Sequence, residues 1–241
     1  MRIGLLHPGE MGAAVGDVLV ERGHEVLWAS TGRSDATRSR AAAFTDAGTV
    51  QALAARAEAI VSICPPHAAG DVAGSVGVFG GLYLDANAVS PRTAQRLAAR
   101  FPRYVDGGIV GGPPREPGTH LYLSGPLAGE AAALFEGSLL EPRIVADASA
   151  LKMAYSAWSK GSAALLLATR DVADRYGVGE ALAVEWDESV PELRSRLARA
   201  ERSAAAKGWR WIGEMEEIAD TFAAAGAPEG FHRAAAEVYR G

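Results

Sequence analysis

Lys152, Tyr155, Ser156, Ser159 and Lys160 follow one another at helical spacing, so in an α-helix they gather on one face. The neighbouring Leu151, Met153 and Ala154 are apolar or small. A lysine on such a stripe can act as a general acid, or neutralise charge developing on an oxygen. Tyr155 and Ser156 would be its helpers. The same spacing is equally compatible with a solvated helix face.

A second group stands at the start of the chain. The apolar run Ile3–Leu6 leads into His7-Pro8-Gly9-Glu10-Met11-Gly12, and a small-faced helical pattern follows. Strand, glycine-bearing turn and helix in that order open a dinucleotide-binding unit. Gly9 would let the backbone approach a pyrophosphate, Gly12 would let helix and strand pack closely, and the helix N-terminus would offer its unpaired N–H groups to phosphates. The first glycine of the usual G-x-G-x-x-G is replaced by His7. A plain tight turn is the competing reading. The second apolar run ends in Ser30-Thr31-Gly32-Arg33-Ser34. An acid here would bind the ribose 2′-hydroxyl of NAD, and none is present. Hydroxyls with a guanidinium suit a 2′-phosphate instead, which favours NADP(H). Cys64-Pro65-Pro66 closes the third apolar run and would form a rigid edge near the nicotinamide; Cys64 itself reads as a buried small residue. Asp85–Pro91, containing Asn87 and Ser90, ends the fourth run. Asp106–Pro114, with Gly111 and Gly112, ends the fifth and leaves backbone N–H groups open to a ligand.

These residues need a sheet to hold them. Short apolar runs at Ile3–His7, Glu25–Ala29, Ala59–Cys64, Leu82–Asp85 and Tyr104–Val110 alternate with helical patterns. Such a βαβα rhythm predicts a mostly parallel, doubly wound Rossmann-type sheet. Further strands are expected at His120–Ser124 and Arg143–Val145. After about Asp147 the pattern turns all-helical: one long helix over Ala150–Tyr176, then helices over Pro191–Ala206, Trp209–Ala225 and Gly230–Arg240, with breaks at Gly177–Gly179, Lys207-Gly208 and Gly226–Pro228. The expected domains are therefore 1–147, binding the cofactor, and 148–241, helical.

Length and charge narrow the classes. The 241 residues allow one or two domains, and the net charge of −5 with no basic block argues against a nucleic-acid partner. One cysteine excludes an internal disulfide, in keeping with a reducing compartment. The chain shows neither a signal-peptide pattern nor an apolar run long enough to span a membrane. A cytoplasmic location is expected, and no metal site.

With these residues in view, the chain resembles the β-hydroxyacid dehydrogenase and 6-phosphogluconate dehydrogenase-like superfamily from end to end. Gly9-x-Met11-Gly12 is similar to the family's G-x-M-G turn, and Ser30–Ser34 to its NADP loop. Asp85–Pro91 resembles its substrate motif, with Asn87 and Ala88 where Ser and Thr are usual. Asp106–Gly112 resembles its glycine-rich motif, with Val110 in the place of a Ser, and Gly118-Thr119 matches the Gly-Thr that follows. Lys152 matches the catalytic Lys, and Ser156 stands where the family has Asn. The strings H-P-G-E-M-G and A-L-K-M-A-Y-S-A-W, with the tail Trp209–Glu217 and Gly230–Arg233, resemble a bacterial subgroup with a short helical C-terminal domain.

The resemblance implies an NADP(H)-dependent oxidoreductase acting on a small hydroxy acid or a related alcohol–carbonyl pair. Lys152 would be the general acid or base, assisted by Ser156 and Tyr155. His7, Pro8, Gly9, Glu10, Met11, Gly12, Ser30, Thr31, Arg33, Ser34, Cys64, Pro65, Pro66 and Asn87 would hold the cofactor. Asn87, Ser90, Gly111, Gly112, Lys152 and His232 would line the substrate. It also implies a homodimer, and the apolar long helix is expected near the centre of its interface. Two rivals keep the fold: an NADP(H)-binding sensor without turnover, favoured by the missing Ser, Thr and Asn, and an imine reductase, disfavoured by the retained Lys152.

Overall fold

The computed structural model describes residues 1–241, and the chain divides into two compact units, Met1–Lys152 and Met153–Gly241. In the first, β1 (Arg2–Leu6), α1 (Glu10–Glu21), β2 (Glu25–Trp28), α2 (Asp35–Arg40), β3 (Thr45–Asp46), α3 (Val50–Arg56) and β4 (Ala59–Ser62) follow in order. A 3₁₀ turn at Pro66–Ala68 leads into α4 (Ala69–Val76), then β5 (Leu82–Asp85), α5 (Pro91–Ala98), β6 (Tyr104–Val110), β7 (Thr119–Ser124), α6 (Ala128–Ala133) and β8 (Leu140–Ile144). Helix α7 (Ala148–Arg175) starts in this unit and continues into the next. The unit boundary after Lys152 and the compositional one after residue 147 thus fall at the same helix.

The strands form one sheet in the order β3-β2-β1-β4-β5-β6-β7-β8. All neighbours are parallel except β6 and β7, which pair antiparallel. Side chains alternate between two buried faces, as a doubly wound sheet requires. Ile3, Leu5, Ala59, Val61, Leu82 and Leu84 pack with α1 and α6. Leu6, Ile60 and Tyr83 face the opposite way, against Leu53 of α3, Ala73 of α4 and Leu97 of α5. The last strand, expected at Arg143–Val145, begins earlier. The short β3 is an addition: its two residues pair only with the end of β2, too short a run for any periodic signal.

The second unit holds most of α7, then α8 (Gly179–Ser189), α9 (Glu192–Ala224) and α10 (Gly230–Arg240). One expectation fails here. Lys207-Gly208 does not break the chain: α9 runs straight through it. Gly208 is buried, and a Cβ there would lie 3.9 Å from the Tyr239 ring of α10. The glycine marks close helix packing, which overrides its weak propensity. Helix α8 is an addition to the expected helices; it buries just Gly179 and Ala183, so its sequence carries almost no apolar stripe. No helix is long and apolar enough to cross a membrane.

Candidate active site

The carboxyl ends of β1, β2, β4, β5 and β6 share one edge of the sheet, where ligands bind in open α/β folds. At the end of β1 the chain turns sharply. His7 adopts φ +63°, the one non-glycine residue in the left-handed region. Gly9 caps α1 without any side-chain hydrogen bond, which leaves the first N–H groups of the helix to a ligand. A Cβ on Gly9 would meet only open space, whereas one on Gly12 would collide with the His7 carbonyl oxygen. The close packing at Gly12 is the one its spacing predicts, and the space beside Gly9 is open. Pro8 is buried, Met11 packs against the core and Glu10 is exposed.

The β2 loop reaches this turn. Arg33 Nη1 lies 2.8 Å from His7 Nε2. Arginine only donates, so the imidazole accepts through Nε2 and carries its proton on Nδ1. Burial, and then the Arg33 charge, push the His7 pKa down to about 4, which keeps the ring neutral near pH 7. His7 Nδ1 and Arg33 Nε are buried without a hydrogen-bond partner. Burial also works against the Arg33 charge. A partly buried cation flanked by two unpaired donors fits the phosphates of a dinucleotide. The loop hydroxyls differ in their engagement. Ser30 is buried and hydrogen-bonds Asp46. Ser34 Oγ caps α2, accepting from Thr37 N at 3.3 Å. Thr31 is exposed. Arg38 donates to the Ser30 carbonyl at 3.0 Å and Arg40 to the Pro8 carbonyl at 3.3 Å. Sequence reasoning missed Asp46 and Arg40, although a third guanidinium close behind Arg33 and Arg38 was the available signal.

Asn87 sits below, at the end of β5. It is buried; its Oδ1 accepts from Cys64 N at 2.6 Å and its Nδ2 donates to Ser62 Oγ at 3.1 Å. Both ends of the amide thus tie β5 to β4 as a floor for the crevice. Pro65 and Pro66, half-buried, continue from that floor. Burial, then the nearby Asp85, push the Cys64 thiol up to about 12, so it is no nucleophile. Asp85, itself 1% exposed, accepts from Asn87 N at 3.1 Å and Tyr104 Oη at 3.2 Å. Burial raises its pKa to about 7. Ser90 is buried as the cap of α5, accepting from Thr93 N.

Strand β6 outruns β5 and carries the last elements of the edge. A Cβ on Gly108 would lie 2.9 Å from Lys152 Cβ and 3.1 Å from the Ala148 carbonyl. Gly108 therefore lets the first turn of α7 lie directly on the strand, with Lys152 half-buried above it. Asp106 anchors that turn: it accepts from Ser149 N at 2.9 Å, Ser149 Oγ at 2.5 Å and Ser124 Oγ at 2.8 Å. A carboxylate at a helix N-terminus is favourable. Gly111, at φ +124°, and Gly112 remain exposed at the end of β6, and Thr119 Oγ1 donates to the Gly112 carbonyl at 2.8 Å.

The remaining candidates belong to the second unit. Tyr155 is half exposed. Ser156 is fully buried and donates to Glu214 Oε1 at 2.8 Å, the oxygen that Lys160 Nζ reaches at 2.6 Å. Its hydroxyl is thus part of a buried ionic network that the α7 spacing did not reveal, because Glu214 lies on α9. His232 is buried edge-on against Phe222, with Nδ1 unpartnered, and burial lowers its pKa.

Residues 173–241 match a domain family of unknown function, DUF1932. An uncharacterised 28.5 kDa protein of Methanothermus fervidus is 29% identical over 189 residues, covering 74% of this chain and 73% of that one. Among solved structures, a conserved protein of unknown function, described as similar to 3-hydroxyacid dehydrogenases, superposes with a TM-score of 0.69 at 25% identity over 100% of this chain and 97% of its own. The Mycobacterium tuberculosis 3-hydroxyisobutyrate dehydrogenase, solved with L-serine, gives a TM-score of 0.69 at 17% identity over 99% and 92%. A reductive aminase from Aspergillus terreus, solved with NADPH and ethyl levulinate, gives 0.62 at 17% identity over 99% and 92%.

Proposed function

We propose that this chain, which shares its fold with the 3-hydroxyacid dehydrogenases and their 6-phosphogluconate dehydrogenase-like relatives and ends in a DUF1932 domain, is an NADP(H)-dependent oxidoreductase. The observation that carries the reading is the junction of Arg33 with the β1 turn. It sets a cation and unpaired buried donors at the N-terminus of α1, on the sheet edge that also holds Lys152. The NADPH of a structural relative supports the same assignment.

When bound, the nicotinamide supplies or accepts the hydride. The first N–H groups of α1, opened by Gly9, would hold the pyrophosphate, and Arg33 with Thr31 the 2′-phosphate. Asn87 keeps the β4 and β5 ends together beneath, and Pro65 and Pro66 exclude water from that side. Lys152 moves the proton: it donates to a substrate carbonyl oxygen in reduction, and accepts the hydroxyl proton in oxidation. The exposed Gly111-Gly112 backbone would orient a carboxylate next to it. The substrate class is a small hydroxy acid or the matching carbonyl compound.

Titration of both cofactors by fluorescence tests the reading. NADPH is expected to bind at least about tenfold tighter than NADH, about 1.4 kcal/mol, and Arg33→Ala to erase most of the difference. Equal affinities, or a preference for NADH, refute it. Tight NADPH binding with no turnover across hydroxy acids, aldehydes and keto acids with amines would point to a sensor.

We also propose a homodimer. Tyr155, Trp158, Leu165 and Val172 are exposed along α7, the last three at the seven-residue repeat of a helix-pairing seam. A second copy lying antiparallel would cover this stripe on both copies at once, with Trp158 of each set against Val172 of the other, the self-complementary pairing of a two-fold interface.

A further inference from the structure

His7 occupies a position where backbone geometry asks for glycine. Its φ of +63° is disfavoured for a residue with a side chain. Such an outlier at a ligand-binding edge points to a role for the side chain. The turn itself needs none: the Gly9 N–H donates to the His7 carbonyl at 2.7 Å, a bond that glycine would make equally well. The imidazole does one thing in the described structure, which is to accept from Arg33 Nη1 at 2.8 Å.

That contact fixes how Arg33 is presented. Nη1 is taken by His7, while Nε, on the far side of the guanidinium fork, has no partner. Nε and Nη2 form the edge that grips a phosphate with two parallel N–H···O bonds. The neighbouring Arg38 and Arg40 are turned to backbone carbonyls of Ser30 and Pro8, so neither takes over this role in the loop as it stands. No carboxylate contacts the Arg33 guanidinium; its one polar contact is a neutral ring. An acid here would orient it equally well, and would also cancel the charge the phosphate needs.

We propose that His7 is a positioning residue for cofactor selection: by holding Arg33 Nη1 it pre-orders the guanidinium, so that the preference for a 2′-phosphorylated dinucleotide depends on His7 as well as on Arg33. The inference rests on the NADP(H) reading above and deepens it. His7 acts through Arg33, and preorganisation of one long side chain is what it supplies.

The test is a double-mutant cycle read by cofactor affinity. His7→Gly removes the acceptor and suits the backbone better, so its Tm should equal or exceed that of the wild type. The ratio of the NADH to the NADPH Kd is expected to fall about three- to tenfold, with the NADH Kd little changed. His7→Asn, which tolerates left-handed geometry and offers a carbonyl acceptor, should keep most of the preference. On an Arg33→Ala background, His7→Gly should change the ratio no further. A wild type that prefers NADPH and a His7→Gly protein with the same preference overturn the inference alone, as does a further loss on the Arg33→Ala background. A wild type that binds both cofactors equally overturns the inference together with the cofactor reading.

Discussion

Replacing Asp85 by asparagine should make the protein more stable at neutral pH, and only there. The carboxyl is buried at the end of β5 between Asn87 N and Tyr104 Oη, and burial raises its pKa from 3.8 to about 7. A carboxyl with a raised folded pKa contributes most at low pH, where it is neutral in both states. As pH climbs from about 4, the unfolded chain ionises first, and folding must keep the proton or bury a charge. The wild type therefore loses about 1.4 kcal/mol per pH unit between the two pKa values, about 4 kcal/mol in all, and levels off above 7. Between pH 5 and 8 the difference between wild type and variant should change by about 2.5 kcal/mol, by the same arithmetic. The amide introduced by Asp85→Asn can be satisfied in place: its oxygen accepts from Asn87 N, and its NH₂ donates to a rotated Tyr104 hydroxyl. The assay is urea unfolding of both proteins at pH steps from 5 to 8. Subtracting the two curves cancels the titrating groups that do not interact with Asp85. A difference that stays flat across that range, or one that favours the wild type as pH rises, refutes a buried, proton-retaining Asp85.

Three further outcomes are expected. Lys152→Ala should lose on the order of a hundredfold or more in kcat, once a substrate is found, while the NADPH Kd stays within a few-fold; wild-type turnover would dismiss the proton-transfer role. Glu214→Gln breaks a buried ion pair with Lys160 and should destabilise the protein by about 3–5 kcal/mol, read as a lower urea midpoint; adding Lys160→Met should restore much of it. Leu165→Asp places a charge at the middle of the exposed α7 seam and should convert a dimer to monomers in light scattering, with the helical signal retained; a wild type already monomeric at micromolar concentration removes the dimer.

The sheet is legible in the sequence because both of its faces are buried. Runs such as Leu82–Asp85 and Tyr104–Val110 are apolar or small but for Asp85 and Asp106, and they match β5 and β6 residue for residue. The glycines of the β1 turn are legible for a related reason: only close backbone approach explains Gly12 two residues into a helix. What escapes sequence reasoning is long-range pairing. Ser156 and Lys160 read as a stripe beside Lys152, yet their shared partner is Glu214 of α9, 58 positions beyond Ser156. The amide of Asn87 closes on Ser62 and Cys64, 25 and 23 positions before it, a pairing its place after a strand does not reveal. His7 reads as a missing glycine, and the arginine that gives it a purpose lies 26 positions on. Gly208 looks like a break until the Tyr239 ring beside it is seen.

The solitary thiol turns the floor of the crevice into a clock. Cys64 is the single cysteine of the chain, its proton is held to about pH 12, and its backbone N–H is tied to the Asn87 side chain. Disulfide reagents and alkylators attack thiolates, so the native thiol should be nearly inert at pH 8 and react at an ordinary rate once the β4 end opens. The labelling rate then reports the free energy of that opening without any introduced probe, in the way amide exchange does. A ligand seated on this floor would slow the clock by the factor with which it suppresses opening. Binding is therefore measurable by mass on the unmodified chain, before any substrate is known.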